Sequence, residues 1–301
     1  MDGILIIDKP EGLTSHDVVA RVRRALKTKR VGHTGTLDPF ATGVLVLLIG
    51  KATRLAQFLD KDEKEYEAVI QFGYETDTGD KTGARTAKCR LRNEEIAERL
   101  ATTDWQNVLS EFRGEIEQIP PMYSAKKLAG KKLYELARQG KEIERKPIQV
   151  IVHELEIIDD EKFGTPQSAL RIRVLCSAGT YIRTLAEDIG RRIGIGAHLI
   201  ELRRTRAGKF GLGGSVTLSE LESDYDVASK FVPMEDAVVH LPQLELGEDR
   251  ALATRNGLPT RIEIGVFNDH SPIRMNDMDG RLLAIGVYRS DKNEVQPKIV
   301  L

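Results

Sequence analysis

Residues Val31 to Gly50 read V-G-H-T-G-T-L-D-P-F-A-T-G-V-L-V-L-L-I-G. Glycines, hydroxyl residues and a histidine crowd around a lone acid, Asp38, between a basic segment and an apolar run. Pro39 disfavours the helical region at Asp38, so the chain there is extended or turned. Gly32 and Gly35 permit dihedrals or close approaches that a side chain blocks. From Val44, V-L-V-L-L-I fits a strand buried on both faces, although a short buried helix has the same pattern. A loop running into such a strand gives the carboxylate a rigid support. The structural alternative is a glycine-rich turn with an Asp-Pro bend.

Outward from this stretch the chain alternates strands and helices. Gly3 to Ile7 is a short apolar strand, and Thr14 caps a helix with Asp17 three residues on. Val18, Val19, Val22, Ala25 and Leu26 face inward at helical spacing. Lys51 to Leu59 reads as a helix, and Tyr66, Ala68, Ile70, Phe72 and Tyr74 alternate as a half-buried strand ending in the turn cluster Thr76 to Asp80. Asn93 to Phe112 reads as helix, the Pro120-Pro121 segment breaks it, and Ala125 to Gln139 reads as a basic helix. Gln149 to Ile158 and Ala169 to Cys176 are strands. Ser177 to Thr180 turns into a helix over Tyr181 to Ile193. From about Leu241, short segments with Asn-Gly and Asp-Gly turns suit a small β-rich module.

The 301 residues, 41% hydrophobic and 30% charged, have the profile of a globular protein with a full core. No apolar stretch approaches bilayer length and Met1 to Lys9 is not signal-like, so a cytoplasmic protein is expected. Cys89 and Cys176 lack metal or disulfide spacing and read as packing residues. The net charge of -1 is uninformative, but its distribution is not. Arg21 to Arg30 carries six bases and no acid, Lys126 to Lys146 eight bases against three acids, and Glu201 to Lys209 four against one. Such patches suit a surface facing phosphates; taken singly, each is also a solvated face.

Four features carry candidate chemistry. Asp38 has three roles open: nucleophile, general base or turn acceptor. Cys176 to Arg183 projects Tyr181 and Arg183 from the first turn of a helix. Tyr66 opens an apolar strand face, as core or as stacking platform. Tyr123 to Lys132 sets an aromatic beside lysines, including Lys126 and Lys127, which fits phosphate contact and stacking or a plain helix entry. His33 reads first as a turn residue. Neither a P-loop ending nor Gly-x-Gly-x-x-Gly is present, so nucleotide cofactor binding is not supported.

Gly32-His33-Thr34-Gly35-Thr36-Leu37-Asp38-Pro39, Lys64-Glu65-Tyr66, Pro120 to Lys127 and Gly179-Thr180-Tyr181-Ile182-Arg183-Thr184, in that order, resemble the TruB family of tRNA pseudouridine-55 synthases. The resemblance covers Leu5 to about Arg206, and the C-terminal end is similar to a PUA-type RNA-binding module. It implies an α+β fold: a pseudouridine-synthase-type mixed β-sheet flanked by helices within residues 1–240, a basic RNA-clamping insertion at about 125–150, and a PUA-like module at 241–301. It implies isomerisation of a T-loop uridine in tRNA by Asp38 without metal or organic cofactor, and a tRNA-folding chaperone role. By the same resemblance Arg183 pairs with Asp38, Tyr66 stacks on the uracil and helps move the C5 proton, His33 lies against the RNA loop, and Tyr181 and Leu202 line the pocket. Tyr123, Lys126 and Lys127 contact RNA. The expected partner is the T-arm of tRNA, with no membrane and no obligatory protein partner, and the protein is expected to be a monomer. Two rival assignments are a non-catalytic RNA-binding protein and a guide-RNA-dependent relative acting on ribosomal RNA.

Overall fold

The computed structural model describes residues 1–88, 92–123, 127–128, 131–132, 143–158, 168–223, 226–263 and 265–301. Among these, nine strands form one mixed sheet. Its main path runs Gly3–Lys9, Thr42–Ile49, Ala197–Ala207, Lys64–Phe72, Ala169–Cys176, Ile148–Ile157 and Gly114–Gln118. Every pairing along this path is antiparallel except that of Ala197–Ala207 with Thr42–Ile49, where Arg203 and Arg204 lie opposite Thr42 and Gly43.

The strand Thr42–Ile49 is the buried strand expected from its apolar run, with all its residues from Gly43 onward withdrawn from solvent. On one edge it pairs with Gly3–Lys9. Its other edge changes partner midway: Val31–Thr34 bonds to residues 46–49, and Ala197–Ala207 to residues 42–43. The loop carrying Asp38 connects Val31–Thr34 to this strand and therefore sits where the edge passes from one neighbour to the other. Only glycine fits at position 43: its φ is +98°, and a Cβ there would lie 2.2 Å from the Arg204 carbonyl oxygen.

The helix Ser15–Ala25 begins with the expected capping box, Thr14 accepting from the Asp17 amide and Asp17 from the Thr14 amide. It buries Val18, Val19 and Val22 against one face of the sheet and leaves Arg21, Arg23 and Arg24 exposed. The helix Ile182–Arg192 covers the same core with Ile182, Leu185, Ala186 and Ile189. On the other face Ile4, Ile6, Val44, Val46 and Leu48 pack with Ala52 and Phe210. A second sheet of five strands, Gln243–Leu246, Pro272–Asp277, Leu282–Arg289, Glu294–Val300 and Thr260–Arg261, has its own core around Ile273, Met275, Ala284 and Val295. Leu282, Ile285 and Ile299 from it pack on Leu55, Val238 and Leu241.

Several local expectations are corrected. Asn93 to Phe112 is two helices, Asn93–Thr102 and Trp105–Ser110, because Asp104 caps a new start by accepting from the Asn107 amide. Gly50–Phe58 is a 3-10 helix. Of the basic helix expected over Ala125 to Gln139, Lys127–Leu128 and Lys131–Lys132 are instead paired strands, and the remainder lies outside the described residues. The strand Ala197–Ala207, at the centre of the sheet, was not anticipated because its charged C-terminal half hides the alternation. Within Glu201 to Lys209, part of the basic charge is engaged inside the chain. Arg203 grips Asp8 at 3.0 and 2.7 Å, Arg206 lies 3.8 Å from Glu65, and Arg204 is buried.

Ser15, 1% exposed, fastens the helix to the Asp38 loop: its hydroxyl accepts from the Leu37 amide at 2.9 Å and donates to the Leu37 carbonyl at 3.1 Å. Ser15→Ala leaves both groups unpaired, so the unfolding free energy should fall by about 1–3 kcal/mol. Urea denaturation checks this, and an unchanged midpoint would show that the clamp adds nothing.

Candidate active site

A cavity of about 270 Å³ opens where the sheet edge changes partner, lined by the Asp38 loop, the Tyr66 strand, the turn Ser177–Thr180, Arg183, Leu202 and Arg204. Its floor is the face of the sheet that carries Lys64, Tyr66 and Ala68 on one strand and Leu202 and Arg204 on the next. Cross-strand register sets Tyr66 opposite Arg204 and Ala68 opposite Leu202.

The loop that presents Asp38 is held at each end and in the middle. Arg204 Nη2 donates to the Gly35 carbonyl at 2.9 Å, and Ser15 holds Leu37. The Pro39 carbonyl accepts from the Gly12 amide at 2.8 Å and from Lys9 Nζ at 3.2 Å. Lys9 is fully buried and also donates to the Pro10 and Leu13 carbonyls; burial lowers its pKa to about 8. Leu37, Phe40 and Ala41 anchor the loop in the core. Asp38 itself stays 33% exposed, open to the cavity.

Arg183 reaches Asp38 from 145 positions further along the chain, Nε to Oδ2 at 2.9 Å. The turn before it is fixed to the neighbouring strand by Ser177, whose amide donates to the Ile151 carbonyl and whose hydroxyl accepts from the Ile151 amide. The remaining nitrogens of Arg183 are occupied: Nη1 donates to the Thr78 carbonyl at 2.7 Å and lies 3.7 Å from Asp80 Oδ2, and Nη2 donates to the Tyr123 carbonyl at 2.8 Å. Asp80 is in turn held by Thr78 and Thr82, whose hydroxyls donate to Oδ1 at 2.9 and 2.5 Å, and by the Thr82 amide. The guanidinium is thus fixed on every side, and its charge is directed at Asp38.

Surroundings decide the ionisation of Asp38. Burial raises its pKa above the ordinary carboxylate value, the Arg183 charge draws it down, and the Asp80 charge raises it again. The site therefore sets a poorly hydrated carboxyl group, pushed by burial toward its neutral form, against a fixed cation that opposes that push. Burial likewise raises the pKa of Tyr66, which Arg204 partly opposes, so the ring enters as neutral phenol.

Of the expected residues, Asp38, Arg183, Tyr66, Tyr181 and Leu202 meet in this cavity. Tyr123 touches the site through its carbonyl on Arg183. His33 is not among the lining residues: its Nε2 lies 3.4 Å from His16 Nδ1, beside the start of the basic helix. Lys126 and the Lys127 side chain lie outside the described residues. Sequence reasoning missed Asp80, Lys64 and Arg204. Asp80 was read as part of a polar turn, and Arg204 as part of a basic surface; its period-two spacing from Leu202 was the available signal.

The model of the TruB family pseudouridylate synthase N-terminal domain matches residues 23–182, and that of the tRNA pseudouridylate synthase B C-terminal domain matches residues 183–240. The tRNA pseudouridine synthase B of Geobacillus thermodenitrificans is 43% identical over 95% of this chain and 91% of its own. That of Aromatoleum aromaticum is 47% identical over 82% and 77%. Among solved structures, a chain of an H/ACA RNP bound to a substrate RNA containing 2'-deoxyuridine aligns with TM-score 0.70 at 27% identity, covering 99% of this chain and 84% of that one. A chain of a Cbf5-Nop10-Gar1 complex gives 0.70 at 28% identity over the same shares.

Replacing Arg183 with Met removes the cation but keeps much of the volume. Turnover should fall on the order of 10²-fold or more while affinity for the polynucleotide substrate changes only a few-fold, because Arg183 faces Asp38 rather than solvent. Single-turnover rates and filter binding separate the two; equal losses would assign Arg183 to substrate binding.

Proposed function

The chain belongs to the TruB family of pseudouridylate synthases and, as that family does, isomerises uridine to pseudouridine in tRNA; we propose that its target is uridine 55 of the T-loop and that Asp38 is the one protein group that reacts. The observation that carries the assignment to Asp38 is its ion pair with Arg183 at the side of a cavity whose floor carries Tyr66 and Leu202. At about 270 Å³ the cavity is small among ligand pockets and suits one extruded base rather than a strand.

The reaction breaks the bond between N1 and C1', turns the ring and joins C5 to C1'. The C5 proton is lost and N1 gains one, so composition and oxidation state are unchanged. One ionised carboxylate suffices, adding either to C1' of the sugar or to C6 of the ring and leaving again before turnover ends. Arg183 keeps that carboxylate charged and aimed. Tyr66, as a neutral phenol, stacks on the uracil and relays the C5 proton. Tyr181 and Leu202 complete the walls.

The exposed cations of Arg21 to Arg30 supply phosphate contacts, with His33 against the loop of the RNA. Residues 1–240 form the catalytic unit, the basic segment at about 125–150 contacts the RNA through Lys126 and Lys127, with Tyr123 just before it, and residues 241–301 act as a PUA-like module on the same tRNA. The protein works as a cytoplasmic monomer without an obligatory protein partner, and the same surface serves tRNA folding. No described helix is long and apolar enough to cross a membrane.

Asp38→Ala should lower tritium release from C5-labelled T-arm RNA on the order of 10³-fold or more, with RNA affinity within a few-fold of wild type. Equal release by both proteins would remove the catalytic role of Asp38. Wild-type activity that required an added guide RNA or protein would assign the chain to the guided class instead.

A further inference from the structure

Lys64 and Arg204 are buried cations in the floor of the cavity, and among the described residues neither has a carboxylate within ion-pair distance. Arg204 is 1% exposed; Nε donates to the Val44 carbonyl at 2.7 Å and Nη2 to the Gly35 carbonyl at 2.9 Å. Lys64 is 7% exposed, and Nζ donates to the Asp60 and Asp62 carbonyls, while the carboxylates of these residues act on it from further off. The two cations meet beneath the catalytic loop: a Cβ on Gly35 would lie 3.2 Å from Arg204 Nη1 and 3.6 Å from Lys64 Cε. Lys64 stands two residues before Tyr66 on the same face, and Arg204 is opposite Tyr66 in the sheet. Burial and the Arg204 charge both depress the Lys64 pKa.

Backbone carbonyls solvate these groups without neutralising them. The other cation of the cavity, Arg183, is balanced by Asp38 and Asp80. Among the described residues the Lys64–Arg204 side of the cavity is therefore left without an anion at ion-pair distance, Asp60 and Asp62 acting on Lys64 only from further off, which is costly in a buried position unless an anion arrives. An RNA phosphate is a poor fit, because Arg204 is shut off from solvent on the side of the ring that stacks the base. The group this position suits is a base held against Tyr66, which lies opposite Arg204 in the sheet.

We propose that Lys64 and Arg204 stabilise the negative charge that passes onto the uracil ring during turnover. The inference rests on the function proposed above. If Asp38 adds to C1', the electron pair of the C1'–N1 bond stays with the ring as a delocalised anion. If Asp38 adds to C6, the pair of the C5–C6 double bond moves toward O4. In both routes one unit of charge leaves the Asp38 carboxylate for the ring and returns to the carboxylate when its bond to C1' or C6 breaks. The C5 proton is exchanged for one at N1, and nothing is oxidised. Fixed cations close to where charge develops, in a site with little water, are where electrostatic stabilisation is strongest.

A ring that tolerates charge by itself needs such help less, and fluorine at C5 makes it so by withdrawing electrons. The test compares T-arm RNA carrying uridine or 5-fluorouridine at the target position, following consumption of that nucleoside under single-turnover conditions with saturating enzyme. Lys64→Gln should slow uridine on the order of 10²-fold and 5-fluorouridine at least several-fold less, with RNA affinity nearly unchanged and Lys64→Arg recovering most of the uridine rate. Arg204→Gln, a separate site, should show the same narrowing. Because both RNAs are offered to one preparation, loss of folded protein slows them equally and cannot mimic the effect. Equal slowing of both substrates in both variants overturns the proposal, as does a loss confined to RNA affinity. Failure of the wild-type protein to convert uridine at all would instead refute the function on which the proposal rests.

Discussion

A carboxylate taken out of water reverts to its neutral acid unless a cation accompanies it, and most of this molecule can be traced to that constraint. Asp38 follows the buried Leu37 and is pushed toward its protonated form by burial, and Arg183 at 2.9 Å opposes that push. The arginine, unlike the part-exposed aspartate, is almost fully buried, so it must be solvated by protein. Two further chain segments do this: the turn that holds both the Thr78 carbonyl and the Asp80 carboxylate, and the segment that holds the Tyr123 carbonyl. One ion pair thus ties together four regions of sequence, and a sheet that brings their strand ends to one place is a geometric requirement.

The mixed sheet meets it by a change of partner. Thr42–Ile49 gives half of one edge to Val31–Thr34 and the other half to Ala197–Ala207. The Asp38 loop occupies the crevice between those neighbours, as ligand sites in open sheets tend to do. Rigid anchoring at Leu37 and Pro39 suits a group that must hold its geometry through bond breaking and ring rotation. The charge balance of the cavity follows the same logic: Arg183 is matched by acids, whereas Lys64 and Arg204 await a charge that exists only during turnover.

What the sequence revealed depended on whether a signal was local. The buried strand after Asp38, the Thr14–Asp17 cap and the strand Ala169–Cys176 were legible because periodicity and capping act over a few residues. The pairing of Asp38 with Arg183 was legible only through the resemblance, since nothing within either segment encodes a partner 145 positions away. Arg204 went unrecognised because a basic run ordinarily marks a surface, and only tertiary packing turned it inward. The break at Asp104 was lost because a capping aspartate looks like any polar residue on a helix face. His33, five positions before Asp38 in the motif, lies beside His16 and is not among the residues lining the cavity.

The central claim is that Arg183 keeps Asp38 charged against burial. It is tested most directly by following the carboxyl carbon of Asp38 by 13C NMR across the acid-to-neutral pH range, in the wild type and in Arg183→Met. An acid whose folded-state pKa is raised by burial and lowered by a cation should rise further when the cation goes. The account predicts an ionised Asp38 at neutral pH in the wild type and a midpoint displaced to higher pH in the variant. A wild-type carboxyl that is protonated at neutral pH, or an identical midpoint in both proteins, would contradict it.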